Sequence, residues 1–177
     1  SDLTISSGAS LKLSNQYGGD LKLLGNWNNA GNFNPNSRGV YFSKTSGTQT
    51  ITNTAGETFA YLIHDGAGTM QMLNDVTVNG NSGDVLQLLA GDLDINGKIL
   101  KLSGTVGNIK TLGAQTFSNT ANSILSITGG VSDLKTVTGG TLTIPANVTT
   151  VLNSGIDFGA GLTTINGTLR IAAGGAV

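Results

Sequence analysis

The chain has 177 residues, a formal net charge of −1 and only 11% charged residues, against about 25% in an ordinary domain. The few Lys and Arg residues form no basic stripe, which argues against a nucleic-acid partner. No apolar run approaches the roughly 20 residues that a membrane-spanning helix needs. With 38% hydrophobic residues the composition is not that of a disordered chain, and the absence of cysteine excludes disulfides and thiolate chemistry.

Short segments in which apolar and polar residues alternate run through the whole chain. Such a period of two predicts strands with one apolar and one polar face, and helical spacing is almost absent. In chain order the clearest segments are residues 3–5, 11–13, 21–23, 40–42, 70–72, 76–78, 86–88, 93–95, 100–102, 125–127, 142–144 and 169–171.

Gly, Asn, Asp or Ser ends most of these segments, and these residues tolerate the left-handed backbone of sharp corners. One unit recurs: an acidic residue, then apolar-x-apolar-x, then Gly. Its strict copies are residues 20–25, 75–80 and 92–97. Their spacing is uneven, so the repeat has an irregular period.

Several all-β folds fit short repeated strands. A sandwich or barrel usually has longer strands and fewer glycines, whereas a solenoid stacks short strands coil on coil. We therefore predict a right-handed parallel β-solenoid of about eight or nine coils of roughly 20 residues, without significant helix. Residues 1–177 are expected to form one continuous segment, a fragment of a longer repetitive protein.

Four blocks resemble a known repeat. Residues 25–35 read G-x-W-x-N-x-G-x-F-x-P, and residues 48–51 contain the Gln-Thr-Ile that follows it. Residues 75–80 and 91–104 continue the series. Together they are similar to repeats of very large secreted surface proteins of Bacteroidetes-type bacteria. From residue 108 onward the chain matches only as a generic solenoid.

This resemblance implies a β-helical, adhesin-like protein displayed on the bacterial cell surface or secreted. It implies no catalytic residues and no cofactor. The expected partners are surface glycans or other copies of the chain joined end to end.

The only histidine, His64, precedes Asp65, but no Gly-x-Ser-x-Gly motif supplies a nucleophile beside them. The favoured interpretation of His64 is a residue at a turn. Asp92 and Asp94 are expected to share an outward face, and Asp75 to lie one coil below Asp92. Such a ladder would suit a glycan-cleaving enzyme, although corner and solubility roles are favoured.

The loop from Asn79 to Asp84 places Asn79, Asn81 and Asp84 in a Gly-rich segment. Spaced oxygen ligands of this kind are what calcium prefers, but one carboxylate supplies little charge. A calcium site therefore stays an alternative, and no metal site is predicted.

The aromatic residues concentrate in the first third of the chain. Exposed rings there could stack on sugar faces, and Trp27, Phe33 and Tyr41 are the candidate glycan-stacking residues. Core packing is the favoured alternative for all three.

Thr-x-Thr copies stand at residues 48–50, 50–52, 136–138 and 141–143 and do not recur at a coil period. A flat ice-binding face would require such recurrence. The leading hypothesis is a non-catalytic structural and adhesive module. A solenoid that binds glycan or ice is the alternative, and a glycan-active β-helix enzyme is a third.

Overall fold

The computed structural model describes residues 1–105, 108–118, 121–128, 132–136, 140–153, 155–159 and 161–172. Every regular element in these ranges is a β-strand. None of these residues is helical, so the described chain offers no helix that could span a membrane. The all-β prediction is confirmed.

The strands form three long walls and one short sheet. The first wall contains β1 (Leu3–Ile5), β4 (Trp27–Asn29), β7 (Thr48–Thr52), β10 (Thr69–Met72), β13 (Asp92–Asp94), β16 (Ala114–Ser118), β19 (Thr141–Ile144) and β22 (Leu162–Ile165). The second wall contains β8 (Glu57–Phe59), β11 (Val76–Val78), β14 (Ile99–Leu102), β17 (Ser123–Ile127), β20 (Val148–Leu152) and β23 (Thr168–Ile171).

The third wall contains β3 (Leu21–Leu23), β6 (Gly39–Phe42), β9 (Tyr61–His64), β12 (Asp84–Leu88), β15 (Asn108–Thr111), β18 (Ser132–Thr136) and β21 (Ile156–Gly159). The short sheet contains β2 (Ser10–Lys12) and β5 (Asn32–Asn34). In each wall a strand pairs with the strand three places along the chain. The structure is therefore a β-solenoid of about 7 turns, close to the eight or nine predicted.

All strand pairs are parallel, but the coil length varies. Leu21 lies beside Val40, 19 residues further on, whereas Ala114 lies beside Thr141, 27 residues further on. Most other coils fall between these values; Leu3 beside Trp27 is an example. This variation is why the sequence repeat has no fixed period.

Inward side chains stack in columns that form one apolar interior. Met70, Leu93 and Phe117 make such a column on the first wall, and each is 0% exposed. On the second wall Val78, Leu102 and Ile127 do the same. Burial of these columns supplies the hydrophobic stabilisation that short strands need.

The predicted acidic ladder is wrong. Asp92 begins β13 on the first wall and pairs with Thr69, whereas Asp75 precedes β11 on the second wall. The 17 residues between the two aspartates are fewer than any observed coil contains. Asp94 does not share an exposed face with Asp92: it is 2% exposed and accepts a hydrogen bond from Gln71 Nε2 at 2.9 Å.

Single threonines stack on the outside of the first wall, although whole Thr-x-Thr copies do not. Thr48 lies beside Thr69, and Thr143 lies between Thr116 and Thr164. Asp92 follows Thr69 in its column, so the hydroxyl groups are not continuous. The predicted copy at residues 136–138 lies partly outside the described residues.

Candidate functional site

The solenoid has one break in its ladder within residues 1–105. The second wall begins at β8, and β5 in the preceding coil pairs only with β2. On the other two walls β4 pairs with β7, and β6 pairs with β9, so the same coils stay in contact there. The gap between β5 and β8 opens a surface groove, which we call the β5–β8 groove.

The β5–β8 groove encloses about 400 Å³. One side is the end of β5 and the turn that follows it. The other side is β8 and the turn after β11. The residues that line it are Phe33, Asn34, Pro35, Asn36, Ser37, Thr58, Ala60, Asn79, Gly80 and Asn81, and none of them is ionisable.

An aromatic cluster lies beneath the groove. The ring centroids of Trp27 and Phe33 are 4.7 Å apart in an edge-to-face arrangement, and those of Trp27 and Phe59 are 5.3 Å apart. Phe42 contacts Phe59 with a centroid distance of 5.9 Å. Such edge-to-face pairs are favourable beyond the area that they bury.

The structure separates the three predicted stacking residues. Trp27 is 0% exposed, so it offers no face to a ligand, because its indole is enclosed by the neighbouring rings. Phe33 is half-buried and lines the β5–β8 groove. Tyr41 is half-buried on the outside of the third wall, since Val40 and Phe42 on either side of it point inward.

Glu57, the first residue of β8, is a buried carboxylate at the break. Its Oε2 accepts hydrogen bonds from Trp27 Nε1 at 2.6 Å and Asn29 Nδ2 at 2.8 Å. Its Oε1 accepts the Thr58 backbone N–H at 2.9 Å. The carboxylate oxygens of Glu57 therefore accept hydrogen bonds from donor groups at the start of the second wall. The carboxylate is hydrogen-bonded rather than free.

The turn after β5 shapes one side of the groove. Asn36 and Ser37 have φ values of 49° and 60°, which only a few non-glycine residue types adopt readily. Asn34 Oδ1 accepts the Asn36 N–H at 2.9 Å, and Asn36 Nδ2 donates to the Leu13 carbonyl at 2.9 Å. The first bond closes the turn, and the second holds it against the coil below.

The turn after β11 shapes the other side. A Cβ added at Gly80 would lie 2.5 Å from the Ala60 carbonyl oxygen, so only glycine allows this corner to stack on the coil below. Asn79 donates its backbone N–H to the Phe59 carbonyl at 2.9 Å. The side chains of Asn79 and Asn81 are exposed at the groove.

The calcium alternative draws no support from this geometry. Asn79 and Asn81 line the groove, while Asp84 begins β12 on the third wall. Asn81 Oδ1 accepts a hydrogen bond from Thr105 at 3.2 Å. Within the described ranges no three His, Asp or Glu side chains are grouped so that they could hold a metal ion.

A second, smaller depression surrounds Tyr41. It is lined by Asp20, Leu21, Lys22, Tyr41 and Asp65. Lys22 Nζ donates to Asp65 Oδ2 at 2.9 Å, and the Ser43 hydroxyl donates to Asp65 Oδ1. Burial raises the pKa of Asp65, but the bonds from Ser43 and Lys22 and the Lys22 charge together bring the pKa below 3.8.

His64 and Asp65 do not form a catalytic pair. His64 ends β9 inside the core, 0% exposed, and its ring nitrogens lie 3.1 Å and 3.0 Å from the carbonyl oxygens of Phe42 and Gly68. Asp65 instead binds Ser43 and Lys22. The interpretation of His64 as a turn residue is wrong: it is the last residue of β9, and its side chain is buried in the core.

In two of the three strict copies of the recurring unit the acidic residue is a cap between coils. Asp20 Oδ1 accepts the Gly39 N–H at 2.9 Å, and Asp75 Oδ1 accepts the Ile99 N–H at 2.9 Å. Asp2 Oδ1 accepts the Asn26 N–H at 2.7 Å in the same manner. These carboxylates satisfy backbone donors at corners, which explains the acid that precedes the strand at Asp2, Asp20 and Asp75.

Sequence reasoning missed Glu57. A signal was present, because Glu57 is the only glutamate in the chain and alternates with Phe59 at the start of a strand. That alternation places its side chain inward, beside the only tryptophan.

Comparison with protein-family models, with curated proteins and with solved structures found no match to this chain.

Proposed function

We propose that the chain is a non-catalytic structural and adhesive module of a bacterial extracellular surface protein or filament. The observation that carries this proposal is the continuous first wall, in which eight strands pair from β1 to β22. A stack joined by backbone hydrogen bonds along its axis, over a single apolar interior, resists bending and extension. A rigid spacer of this kind holds binding surfaces away from a cell.

The outer surface also suits adhesion through many weak polar contacts. Only 11% of the residues are charged, so hydroxyl and amide groups dominate the polar positions. Uncharged polar groups lose little on partial desolvation compared with ions, and they match the hydroxyl groups of polysaccharides. The resemblance of residues 25–104 to repeats of secreted surface proteins supports a location outside the bacterial cell or on its surface.

The positions of the carboxylates favour a non-catalytic role. Glycoside hydrolysis requires two carboxyl groups facing a common groove about 5–10 Å apart. Asp20 and Asp75 instead accept backbone N–H groups, and Glu57 is buried among donors. If the chain nevertheless releases reducing ends from polysaccharides, the non-catalytic proposal is wrong.

Single-molecule force spectroscopy tests the structural part of the proposal. The chain is held between flexible handles and pulled from its two ends. We expect little extension until a cooperative unfolding event. Continuous lengthening at low force would contradict a rigid spacer.

Attachment under flow tests the adhesive part. Beads that carry the chain are passed over surfaces coated with neutral polysaccharides, with beads carrying an unrelated β-domain as the control. We expect the chain to retain more beads. Equal retention would contradict adhesion.

Other copies of the chain are the second proposed partner. Leu169 and Ile171 on β23 continue the inward columns of Thr150 and Leu152, and they are 38% and 51% exposed. Coverage of these side chains by another copy would remove apolar surface from water. Sedimentation velocity over a range of concentrations should show association, and a monomer at all concentrations would contradict it.

A further inference from the structure

We infer that the β5–β8 groove is a binding site for a neutral saccharide. This inference rests on the proposed adhesive function and names the site and the ligand class. Three features of the groove carry it: its origin in a break of the ladder, its supply of amide groups beside an aromatic ring, and its lack of charge.

The break gives the groove a size that suits a ligand. Ligand sites typically measure about 300–1,000 Å³, and this groove encloses about 400 Å³. The paired walls on either side hold its two rims at a set separation, because β4 pairs with β7 and β6 pairs with β9. A site built on paired strands is already in shape before a ligand arrives, which lowers the cost of binding.

The rims carry hydrogen-bonding groups that the fold does not use. Asn79 makes no side-chain hydrogen bond to another described residue. Toward the described part of the chain, Asn34 and Asn81 each use only Oδ1, so both amide nitrogens are available there to donate. Each amide offers donors and acceptors, as sugar hydroxyl groups require.

Phe33 supplies the apolar partner. Its ring is half-buried at the groove and is held by edge-to-face contact with Trp27, 4.7 Å between centroids. The C–H groups on one face of a pyranose pack favourably on an aromatic ring, which offers a negative face and a large apolar area. An aromatic ring between neutral amides is the combination that recognises a sugar.

The lack of charged groups in the groove favours some ligands over others. No lining residue is ionisable, so no cation compensates a uronate or sulfate group that enters. An extended peptide that pairs with β8 is also disfavoured, because Glu57 Oε1 already accepts the Thr58 N–H that faces away from β11. A neutral saccharide meets neither obstacle.

The test is a titration of ¹⁵N-labelled chain followed by backbone amide NMR shifts. The probes are neutral gluco-, manno- and xylo-oligosaccharides of three to six sugars, with oligogalacturonate as the anionic comparison. We expect saturable shifts at Phe33, Asn36, Asn79 and Asn81 with at least one neutral probe, and weaker ones with oligogalacturonate. Shifts that are absent with every probe, that lie elsewhere, or that favour the anion would overturn the inference.

Variants locate the site without unfolding the chain. Phe33→Leu keeps an apolar side chain in the cluster, and Asn79→Ala with Asn81→Ala removes two exposed amides. Each change should weaken binding at least tenfold, while Asn166→Ala, at an exposed position outside the groove, should leave it unchanged. Equal losses in the groove and control variants would contradict the assignment.

Failure of this inference differs from failure of the proposed function. If beads carrying the groove variants still attach under flow as the unaltered chain does, adhesion stands and the groove is not its site. If the unaltered chain does not attach at all, the adhesive function itself is wrong. Binding in the titration without attachment under flow would support the groove and contradict adhesion.

Discussion

The indole Nε1 of Trp27 donates to Glu57 Oε2 at 2.6 Å, and so joins the first wall to the first strand of the second wall inside the solenoid. Glu57 heads a column that continues upward as Val76 and Leu100. One carboxylate thus occupies a position that is apolar in the next coils, at the point where the ladder is broken.

We expect Glu57→Gln to destabilise the fold by about 2 kcal/mol, because the replacement removes charge-assisted acceptance and turns an NH₂ group toward donors. Glu57→Ala should cost more, since Trp27 and Asn29 then lose their acceptor. Urea unfolding followed by the fluorescence of the single tryptophan measures both. Asp92→Asn on the outer face is the control, and a loss as large as that of Glu57→Gln would contradict a special role for Glu57.

The cap from Asp75 to the Ile99 N–H gives a second prediction. Asp75→Ala should cost about 1 kcal/mol, as removal of a capping side chain does in helices, whereas Asp75→Asn keeps an acceptor and should cost less. Hydrogen exchange at the Ile99 amide should be faster in the alanine variant. Unchanged exchange at this amide would show that the cap is dispensable.

The corner glycines give a third prediction. A Cβ at Gly104 would lie 1.9 Å from the Gly80 carbonyl oxygen, so Gly104→Ala must push two coils apart. We expect a loss of at least about 2 kcal/mol from this overpacking. Gly155, where an added Cβ meets no atom of the described residues within 4 Å, is the matched control and should tolerate alanine. Thermal unfolding of both variants measures the effect. A lower unfolding temperature for Gly104→Ala alone indicates local strain, whereas equal losses in both variants would indicate a general intolerance of alanine and contradict the prediction.

Asp65 gives a prediction of pH dependence. Its pKa is lower in the folded chain than its ordinary value of 3.8, so its contribution to stability is complete above that value and is lost as the pH falls through the folded pKa. Asp65→Asn should therefore reduce the loss of stability as the pH falls from about 5 to values below 3.8. The effect should be small, since the Lys22 side chain is 63% exposed and solvent screens the pair.

Urea midpoints measured across this pH range test the Asp65 prediction. Lys22→Gln should give an intermediate result, because the bond from Ser43 remains. A pH profile of Asp65→Asn that superimposes on that of the unaltered chain would show that the pair contributes nothing.

Local features of the fold were predictable because they depend on neighbouring residues. The alternation at Val76-Thr77-Val78 predicted β11, and its outer threonine is more exposed than the buried valines. The corner at Asn96 and Gly97 has φ values of 53° and 71°, as the left-handed preference of Asn and Gly indicates. Stacking of short strands followed from their length and repetition.

Register and the candidate site were not predictable in the same way. The pairing of Thr69 with Asp92 depends on the length of one coil, and short Leu, Ile and Val patterns fit several registers equally well. The sequence therefore placed Asp75 under Asp92 incorrectly. The β5–β8 groove and the enclosure of Trp27 depend on contacts between different coils, such as those of Trp27 with Glu57 and Phe59, which no local pattern encodes.

The parallel stacking of coils is the claim on which the rest depends, and long-range nuclear Overhauser effects between backbone protons test it most directly. We predict contacts in parallel register between Thr77 and Lys101, and between Gln71 and Asp94. Contacts in antiparallel register between strands that are adjacent in the chain, such as β10 with β11, would contradict the solenoid and the groove together.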